Sequence, residues 1–213
     1  MRIGILGSGL MGGKLGLLFA RAGHEVVFSY SRRRENLKEL ARKAGANARV
    51  GTPAEAAQRA EALLLAVHWS KIDDVVSQAG ELSGKIIVSC SLPMNDSDTD
   101  LVVAHTSSGA EQLSRRLPGS RVAGAFNTVP SEVLFGVFKA RKRATRPSMV
   151  YYGDDRGAKK VAADLARDVG FEPVDAGALL AARYAEPFAL LVARLAYEGK
   201  GGPEMAYRFE RFR

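Results

Sequence analysis

The chain has 213 residues, of which 46% are hydrophobic, and 31 lysines and arginines against 23 acidic residues give it a net charge of +8. The single cysteine, Cys90, excludes an intrachain disulfide and a cysteine-based metal cluster within one monomer, and we predict no metal site. No run of about 18 apolar residues is present, and the opening apolar run, 3–6, is too short for a secretory signal, so we expect a cytoplasmic protein with no membrane partner.

Short apolar runs alternate with amphipathic stretches in the first half of the chain, which is typical of βαβ units and a mainly parallel sheet. Thr52, Pro53 and Glu55 have the spacing of a helix start with a capping box. The elements predicted here are strand 2–6, helix 10–22, strand 25–30, helix 34–43, strand 48–50 and the buried strand 62–67.

The second half continues the alternation after a polar segment that begins at Ser91. Pro187 marks the first turn of a last helix, which runs to about Tyr197. An apolar face on that helix is predicted from Phe188, Leu191, Val192 and Leu195. The other predicted elements are helix 71–79, strand 85–90, helix 109–117, strand 121–126, strand 149–153, helix 158–169 and strand 172–174.

These elements together predict an α/β fold, a doubly wound parallel Rossmann-type sheet with a short C-terminal helical extension. We divide the chain into a nucleotide-binding part, residues 1–147, and a smaller α/β and helical part, residues 148–213. The densest basic stretch, 138–146, contains one aromatic residue, Phe138, and no nucleic-acid motif. It is therefore predicted as a solvated loop, and we expect no nucleic-acid partner.

A glycine-rich turn with the spacing G-x-G-x-x-G follows the first predicted strand and opens the first predicted helix, which is the context that dinucleotide binding requires. Gly7 permits the tight turn, Gly9 lets the backbone approach a pyrophosphate, and Gly12 allows close packing of helix and strand. The N–H groups at the helix start supply an anion site. The predicted cofactor contacts are Gly7, Ser8, Gly9, Leu10, Met11 and Gly12.

Three arginines stand where a site selective for NAD has a carboxylate that binds the ribose 2′-hydroxyl. The first carboxylate after the second strand, Glu35, comes only after them. Because a 2′-phosphate is attracted by guanidinium groups and hydroxyl donors, the sequence favours NADP(H). Ser31 and Arg32 are the first candidates for this contact, with Arg33 next.

Acid–base machinery is sparse in the sequence, which has three histidines and lacks the common hydrolase and metalloprotease motifs. His68 follows a predicted buried strand at the carboxyl edge of the sheet, where ligands bind in such folds. It is a candidate catalytic acid, a cofactor-lining residue or a packing residue. The lack of proton-transfer groups indicates chemistry in which a second organic cofactor takes part.

The chain resembles the NADP-dependent oxidoreductases of coenzyme F420, which are deazaflavin reductases related to the nucleotide domain of the STEAP metalloreductases. The resemblance covers nearly the whole chain, and it is most specific around 125–128 and 174–177. It implies hydride transfer between NADP(H) and the deazaflavin, a small-molecule redox co-substrate, at the carboxyl edge of the sheet. The segments that carry it are GILGSGLMGG, LAVHWSKIDDVV, GAFNTVPSEVL, EPVDAGAL and ARYAEPFALLVARLAY.

The resemblance also implies roles for particular residues. It assigns the phosphate turn to 7–12 and the 2′-phosphate contact to Ser31 and Arg32. It assigns Asn127 and Val129 to the place where the deazaflavin meets the nicotinamide. The residues implied around the nicotinamide are Val67, His68, Trp69 and Ser131. The family commonly has proline where this chain has His68.

Two other functions stay open at this point. A small imine or keto-acid reductase would share the first half of the chain, but those enzymes use a larger helical domain than the residues after Asp175 can build. A catalytically silent NADP(H)-binding sensor would also fit the lack of an acid–base pair. The apolar face of the last helix further predicts a homodimer, with packing inside the chain as the alternative.

Overall fold

A computed structural model describes residues 1–212 and shows a sheet of eight strands. Arg213, at the end of the predicted second part, lies outside the described residues. The strands are β1 (Arg2–Leu6), β2 (Glu25–Ser29), β3 (Ala48–Val50), β4 (Ala62–Leu65), β5 (Ile86–Ser89), β6 (Arg121–Gly124), β7 (Ser148–Gly153) and β8 (Glu172–Asp175).

The strand order is β3-β2-β1-β4-β5-β6-β7-β8, and neighbours are parallel except for β6 and β7, which are antiparallel. The predicted doubly wound sheet is confirmed. Because β1, β2, β4, β5 and β6 run in one direction, the segments that follow them meet at one carboxyl edge. The reversal at β7 extends the same sheet, and the division of the chain at residue 147 stays a prediction.

Helices cover both faces of this sheet. Within residues 1–212, no helix is both long enough and apolar enough to cross a membrane. The helices are α1 (Leu10–Arg21), α2 (Arg34–Ala44), α3 (Pro53–Gln58), α4 (Ile72–Ala79), α5 (Gly109–Arg116), α6 (Leu134–Ala140), α7 (Arg156–Val169) and α8 (Ala182–Tyr197). The predicted capping box of α3 is present, with Thr52 Oγ1 accepting from Glu55 N at 3.2 Å and Thr52 N donating to Glu55 Oε2 at 2.7 Å.

Two hydrophobic cores lie on opposite faces of the sheet, because successive strand residues point in opposite directions. In β4, for example, Leu64 faces the core covered by α1, α2, α6 and α7. Leu63 and Leu65 face the core covered by α3, α4, α5 and α8. Burial on both faces explains why β4 reads as a continuous apolar run rather than an alternating one.

Two sequence predictions about helices are wrong. The last helix begins at Ala182, and Pro187 lies inside it rather than in its first turn. Contacts of Ala182 and Ala185 with the buried core favour the earlier start, which a local pattern cannot show. The basic stretch 138–146 is a loop only from Arg141 onward, because its first three residues form the end of α6.

A buried carboxylate joins the C-terminal helix to α5. Glu186 of α8 is 1% exposed, and its two oxygens accept from Gly109 N at 2.8 Å and Ala110 N at 2.9 Å. These are among the N–H groups that a helix start leaves without intrahelical partners. An ion pair between Arg183 and Glu111, at 2.7 Å, joins the same two helices. The C-terminal helix is thus fixed to the body of the sheet by charge as well as by apolar packing.

Glu186 should make stability depend on pH. Burial raises its pKa from 4.5 to about 7, against the opposing effect of its two backbone hydrogen bonds. The folded chain therefore holds this proton more tightly than the unfolded chain, so the contribution of Glu186 is full below about pH 4.5 and is lost as the pH rises through 7. Denaturant titrations at several pH values measure the free energy of unfolding, and Glu186→Gln should remove the part of its decrease that occurs as the pH rises through 7. Glu198→Gln, exposed beside the same helix, should not.

Candidate functional site at the carboxyl edge

The glycine turn between β1 and α1 is closed on one side and open on the other. A Cβ at Gly7, where φ is +110°, would lie 2.4 Å from Ala66 O, and a Cβ at Gly12 would lie 1.9 Å from Gly7 O. At Gly9 a Cβ would meet no atom of residues 1–212 within 4 Å. The packing therefore requires two of these glycines, whereas the third leaves free space over the helix start, where a pyrophosphate could approach the backbone.

The start of α1 offers donors to that space. Gly13 N donates to Gly9 O at 2.8 Å and makes the first intrahelical bond, so the N–H groups of Leu10, Met11 and Gly12 come before the helix ladder begins. Ser8 is buried instead, and its Oγ donates to Ser29 O at 2.8 Å. The turn thus presents backbone dipoles to an anion, and the first turn of the helix carries no acidic residue.

A groove of about 810 Å³ opens beside the end of β2. It is connected to the glycine turn by a backbone hydrogen bond from Ser8 N to Tyr30 O at 3.0 Å. Ser31 and Arg32, the first candidates for the 2′-phosphate contact, line this groove, whereas Arg33 is outside its lining and forms the N-cap of α2. The lining residues are Tyr30, Ser31, Arg32, Arg34, Leu37, Lys38, Val50, Gly51, Thr52, Pro53, Glu55, Lys71 and Gln78.

The charge of this groove is mainly positive. Arg32 and Arg34 enter it from the segment after β2, and Lys38 and Lys71 add two further cations. The Glu55 carboxylate also lines the groove, and it stays negatively charged because hydrogen bonds from Thr52 hold its pKa below the usual range. It is one negative charge against these four positive ones. Sequence reasoning missed Arg34, Lys38 and Lys71, because the phase of the helix and the position of the loop after β4 decide which cations face the groove. The arrangement fits a phosphate group.

The segment after β4 forms the next part of the carboxyl edge, although β4 ends two residues before the predicted boundary. Val67 is half-buried next to the glycine turn, with its Cγ1 2.6 Å from the position of a Cβ on Gly7. Trp69 is half-buried and packs against the core of α3, α4, α5 and α8, and the Arg116 guanidinium lies 4.8 Å from the centre of its ring. Packing of both side chains against this core therefore holds the segment after β4 in place at the carboxyl edge.

His68 uses both ring nitrogens in contacts with the protein. Its Nδ1 accepts from Ser70 N at 3.3 Å, and its Nε2 donates to Asn95 O at 3.2 Å, with Asp98 Oδ1 also at 3.2 Å. The ring thus connects the short 3₁₀ turn after β4 to the polar loop that follows β5. This geometry suits a residue that holds two loops together. To donate its Nε2 proton to a bound molecule, His68 would first have to break its hydrogen bond to Asn95 O.

The segment after β6 brings a polar side chain into the interior. Phe126 has a φ of +65°, an uncommon conformation for a residue with a side chain, and it reverses the chain before Asn127. Asn127 is buried, and its Nδ2 donates to Tyr152 Oη at 2.8 Å. Its Oδ1 has no hydrogen-bond partner among the described residues. A buried acceptor without a partner is costly, so this atom is one whose hydrogen bond the described residues leave unmade.

The rest of this segment is fixed by two distant elements. Lys14 of α1 donates from Nζ to Ser131 Oγ at 3.0 Å. Thr128 Oγ1 lies 2.7 Å from the hydroxyl of Tyr207 in the C-terminal segment. Val129 is buried in the core of α1, α2, α6 and α7. Lys14 lies in α1, one helical turn after the helix start that follows the glycine turn, and it is bonded to Ser131. The predicted residues 127–131 therefore lie at the same sheet edge as the glycine turn.

Cysteine chemistry and a resident metal find no support at this edge. Burial raises the pKa of the Cys90 thiol to about 12, so it is not a reactive thiolate at neutral pH. Within the described part of the chain, no group of three or more histidine, cysteine, aspartate or glutamate side chains could hold a metal ion. The groups that the site presents, backbone N–H groups and cationic side chains, suit an anionic ligand.

Sequence comparison finds similarity to an oxidoreductase family and to a metalloreductase. Residues 2–93 match the family described as NADP oxidoreductase, coenzyme F420-dependent. The chain is 31% identical over 189 residues to metalloreductase STEAP3 of Rattus norvegicus, in an alignment that covers 89% of this chain and 36% of the relative. The chain thus spans about a third of the length of that curated relative.

Solved structures with the same fold include two of interest here. A protein described as a proposed F420-dependent NADP reductase, from Arthrobacter sp. FB24, matches with a TM-score of 0.86 at 24% identity, and the match covers 99% of this chain and 100% of that one. An imine reductase from Aspergillus terreus in complex with NADPH4 and dibenz[c,e]azepine matches with a TM-score of 0.66 at 16% identity, and the match covers 90% of this chain and 60% of that one. At these identities the likeness concerns the fold.

Proposed function

We propose that this protein transfers hydride between NADP(H) and coenzyme F420 or a related flavin-like acceptor. The similarity of its sequence to the coenzyme F420-dependent NADP oxidoreductases supports the proposal. The observation that carries the proposal is the connection between the glycine turn and the cationic groove. Ser8 N, in the turn, donates to the carbonyl of Tyr30, which lines the groove next to Ser31 and Arg32. A pyrophosphate site and a 2′-phosphate site then lie side by side, as NADP(H) requires.

The residues present fit this cofactor. The space over Gly9 receives the pyrophosphate, and the N–H groups of 10–12 donate to it. Ser31, Arg32 and Arg34 hold the 2′-phosphate by charge-assisted hydrogen bonds. Val67 and Trp69 line the nicotinamide end. When bound, NADPH would supply a hydride to the acceptor ring and become NADP⁺, and the acceptor would take up one proton from water.

The chain's own contribution to transfer is mainly positioning. Two planar rings react when their carbons are held roughly 3–3.5 Å apart in alignment. Asn127 Oδ1, buried and without a partner in residues 1–212, accepts an N–H of the nicotinamide amide or of the acceptor ring. Val129 anchors the same segment by packing into the core of α1, α2, α6 and α7. His68, held on both nitrogens, fixes the loop after β5 at the edge of the site rather than supplying the proton.

The test is a reduction assay with purified protein and NADPH. Oxidised coenzyme F420, FAD and FMN are offered in turn, and the absorbance of each acceptor and of NADPH is followed. We expect acceleration with the deazaflavin. Acceleration with a flavin alone would correct the acceptor and keep the oxidoreductase. Tight NADPH binding without acceleration for any acceptor would overturn the enzyme function and favour a sensor of NADP(H).

The proposed assembly is a homodimer formed through α8 and the turn before it. Val192, one of the four residues predicted to form its apolar face, packs inside the chain, whereas Leu191 and Leu195 are 53% and 55% exposed. A helical spacing places those two near other exposed apolar side chains, which makes a stripe suited to a second copy of the chain. The stripe consists of Leu180, Tyr184, Leu191 and Leu195.

Leu191→Glu should convert this dimer into a monomer, because the substitution places a charge in the centre of the stripe. Sedimentation velocity measures the mass of each form. Val102→Glu is the matched control, since Val102 is 57% exposed and lies in the loop after β5, outside the stripe. A wild-type protein that sediments as a monomer would contradict the dimer, and a Leu191→Glu protein that remains dimeric would show that the interface lies elsewhere.

A further inference from the structure

Tyr30 has a backbone conformation that requires an explanation. It follows β2 directly and has a φ of +54°, in the left-handed region that favours glycine. Its carbonyl accepts from Ser8 N of the glycine turn at 3.0 Å. One strained residue therefore joins the pyrophosphate turn to the segment that carries Ser31 and Arg32, and its conformation sets the direction in which that segment leaves the strand.

The side chain of Tyr30 is held by a residue of α4. Its hydroxyl donates a short hydrogen bond to Asp74 Oδ2 in the first turn of α4. Asp74 Oδ1 in turn accepts from Gln78 Nε2 at 3.1 Å. Burial and the neighbouring Asp74 carboxylate raise the pKa of Tyr30 to about 12, so the phenol remains a donor at neutral pH. Tyr30 and Gln78 both line the groove that receives the 2′-phosphate in the proposed function.

We propose that the hydrogen bond between Tyr30 and Asp74 is a positioning device that keeps Ser31 and Arg32 directed into the groove and so sets the preference for NADPH over NADH. The inference rests on the proposed function for its cofactor. A tyrosine leaves the left-handed region readily unless a contact retains it there. The retaining contact is the phenol, because the carbonyl bond to Ser8 alone does not fix the side chain across the groove.

Tyr30→Phe is the direct test, because it removes the hydroxyl and keeps the ring. We expect NADPH to bind roughly 3- to 10-fold more weakly, as the loss of one hydrogen bond predicts, with NADH binding nearly unchanged. Both dissociation constants are measured by the fluorescence of the reduced nicotinamide, without any acceptor. Thermal unfolding is followed in parallel, and a lower melting temperature with an unchanged NADPH-to-NADH ratio would overturn the inference as a purely structural effect.

A double-mutant cycle separates positioning from charge. Asp74→Ala should weaken NADPH as much as Tyr30→Phe does, and the double variant should lose no more than either single variant. If Asp74 acted only as a nearby negative charge, its removal would strengthen NADPH binding, which would overturn the inference. Asp73→Ala is the matched control, since Asp73 adjoins Asp74 but pairs with Arg116 at 3.1 Å. Its NADPH-to-NADH ratio should equal that of the wild type, and a shift as large as that of Asp74→Ala would also overturn the inference.

The failure of this inference is distinguishable from failure of the proposed function. A wild-type protein that binds NADPH and NADH equally would remove the proposed cofactor selectivity before any variant is made. A wild-type protein that prefers NADPH, with a ratio insensitive to Tyr30→Phe, would keep the cofactor and remove only the positioning role.

Discussion

Gly9→Ala should bind NADPH roughly 10- to 100-fold more weakly while its free energy of unfolding changes by about 1 kcal/mol. The reason is the open side of the glycine turn, where a Cβ meets no atom of the described chain but occupies the space that a pyrophosphate needs. The backbone at Gly9, with φ of −80°, is accessible to alanine. Chemical denaturation and titration with NADPH measure the two quantities separately.

Gly12→Ala is the variant to compare with Gly9→Ala, because its Cβ would meet the protein backbone. Its Cβ would lie 1.9 Å from Gly7 O, and a backbone atom cannot move away as a flexible side chain would. We expect about 3 kcal/mol of destabilisation or more, together with weaker NADPH binding. Equal NADPH affinity in Gly9→Ala and wild type would show that no pyrophosphate lies over this turn.

Arg32→Ala should weaken NADPH by roughly 10- to 100-fold, with a much smaller effect on NADH, because a charge-assisted hydrogen bond to the 2′-phosphate contributes about 1.5–3 kcal/mol. Arg32 lines the cationic groove beside Ser31. The effect should diminish as salt is added, since the groove is open to solvent. Equilibrium titrations with both reduced cofactors, at low and high ionic strength, check both statements.

Arg33→Ala is the natural control for Arg32→Ala. It removes the same charge at the next residue, whose side chain is outside the groove lining. We expect it to change NADPH affinity only slightly. Losses of equal size for NADPH and NADH in Arg32→Ala would mean that Arg32 does not hold the 2′-phosphate. A larger loss for Arg33→Ala would assign the contact to the neighbouring residue instead.

The arginine triplet shows how far sequence reasoning reaches at this site. The sequence predicts a cationic segment after β2, and Ser31 and Arg32 of that segment line the groove. It cannot decide between Arg33 and Arg34, because α2 begins at Arg34 and the helix phase then turns one side chain away from the groove. Lys71 comes from the loop after β4, which only the strand order brings to the same place.

The fold was more accessible to prediction than the C-terminal region. Strands such as β1 and β3 agree with their predicted bounds, because local apolar runs and glycine turns determine them. The start of α8 depends on contacts with α5, which lies some 70 residues earlier, so proline rules gave the wrong first turn. The Oδ1 of Asn127, which has no partner within residues 1–212, likewise results from packing around Tyr152 and has no sequence signal.

The carboxylate of Glu186 has a consequence for how the molecule opens. Because it accepts from the first amides of α5, α8 cannot detach without breaking the bonds to Gly109 N and Ala110 N. The two helices should therefore open as one cooperative unit, although more than 70 residues separate the bonded groups along the chain. Amide hydrogen exchange would show this as a shared free energy of opening for the start of α5 and the middle of α8. The C-terminal helix thus behaves as part of the sheet's own cover rather than as an appendage that unfolds first.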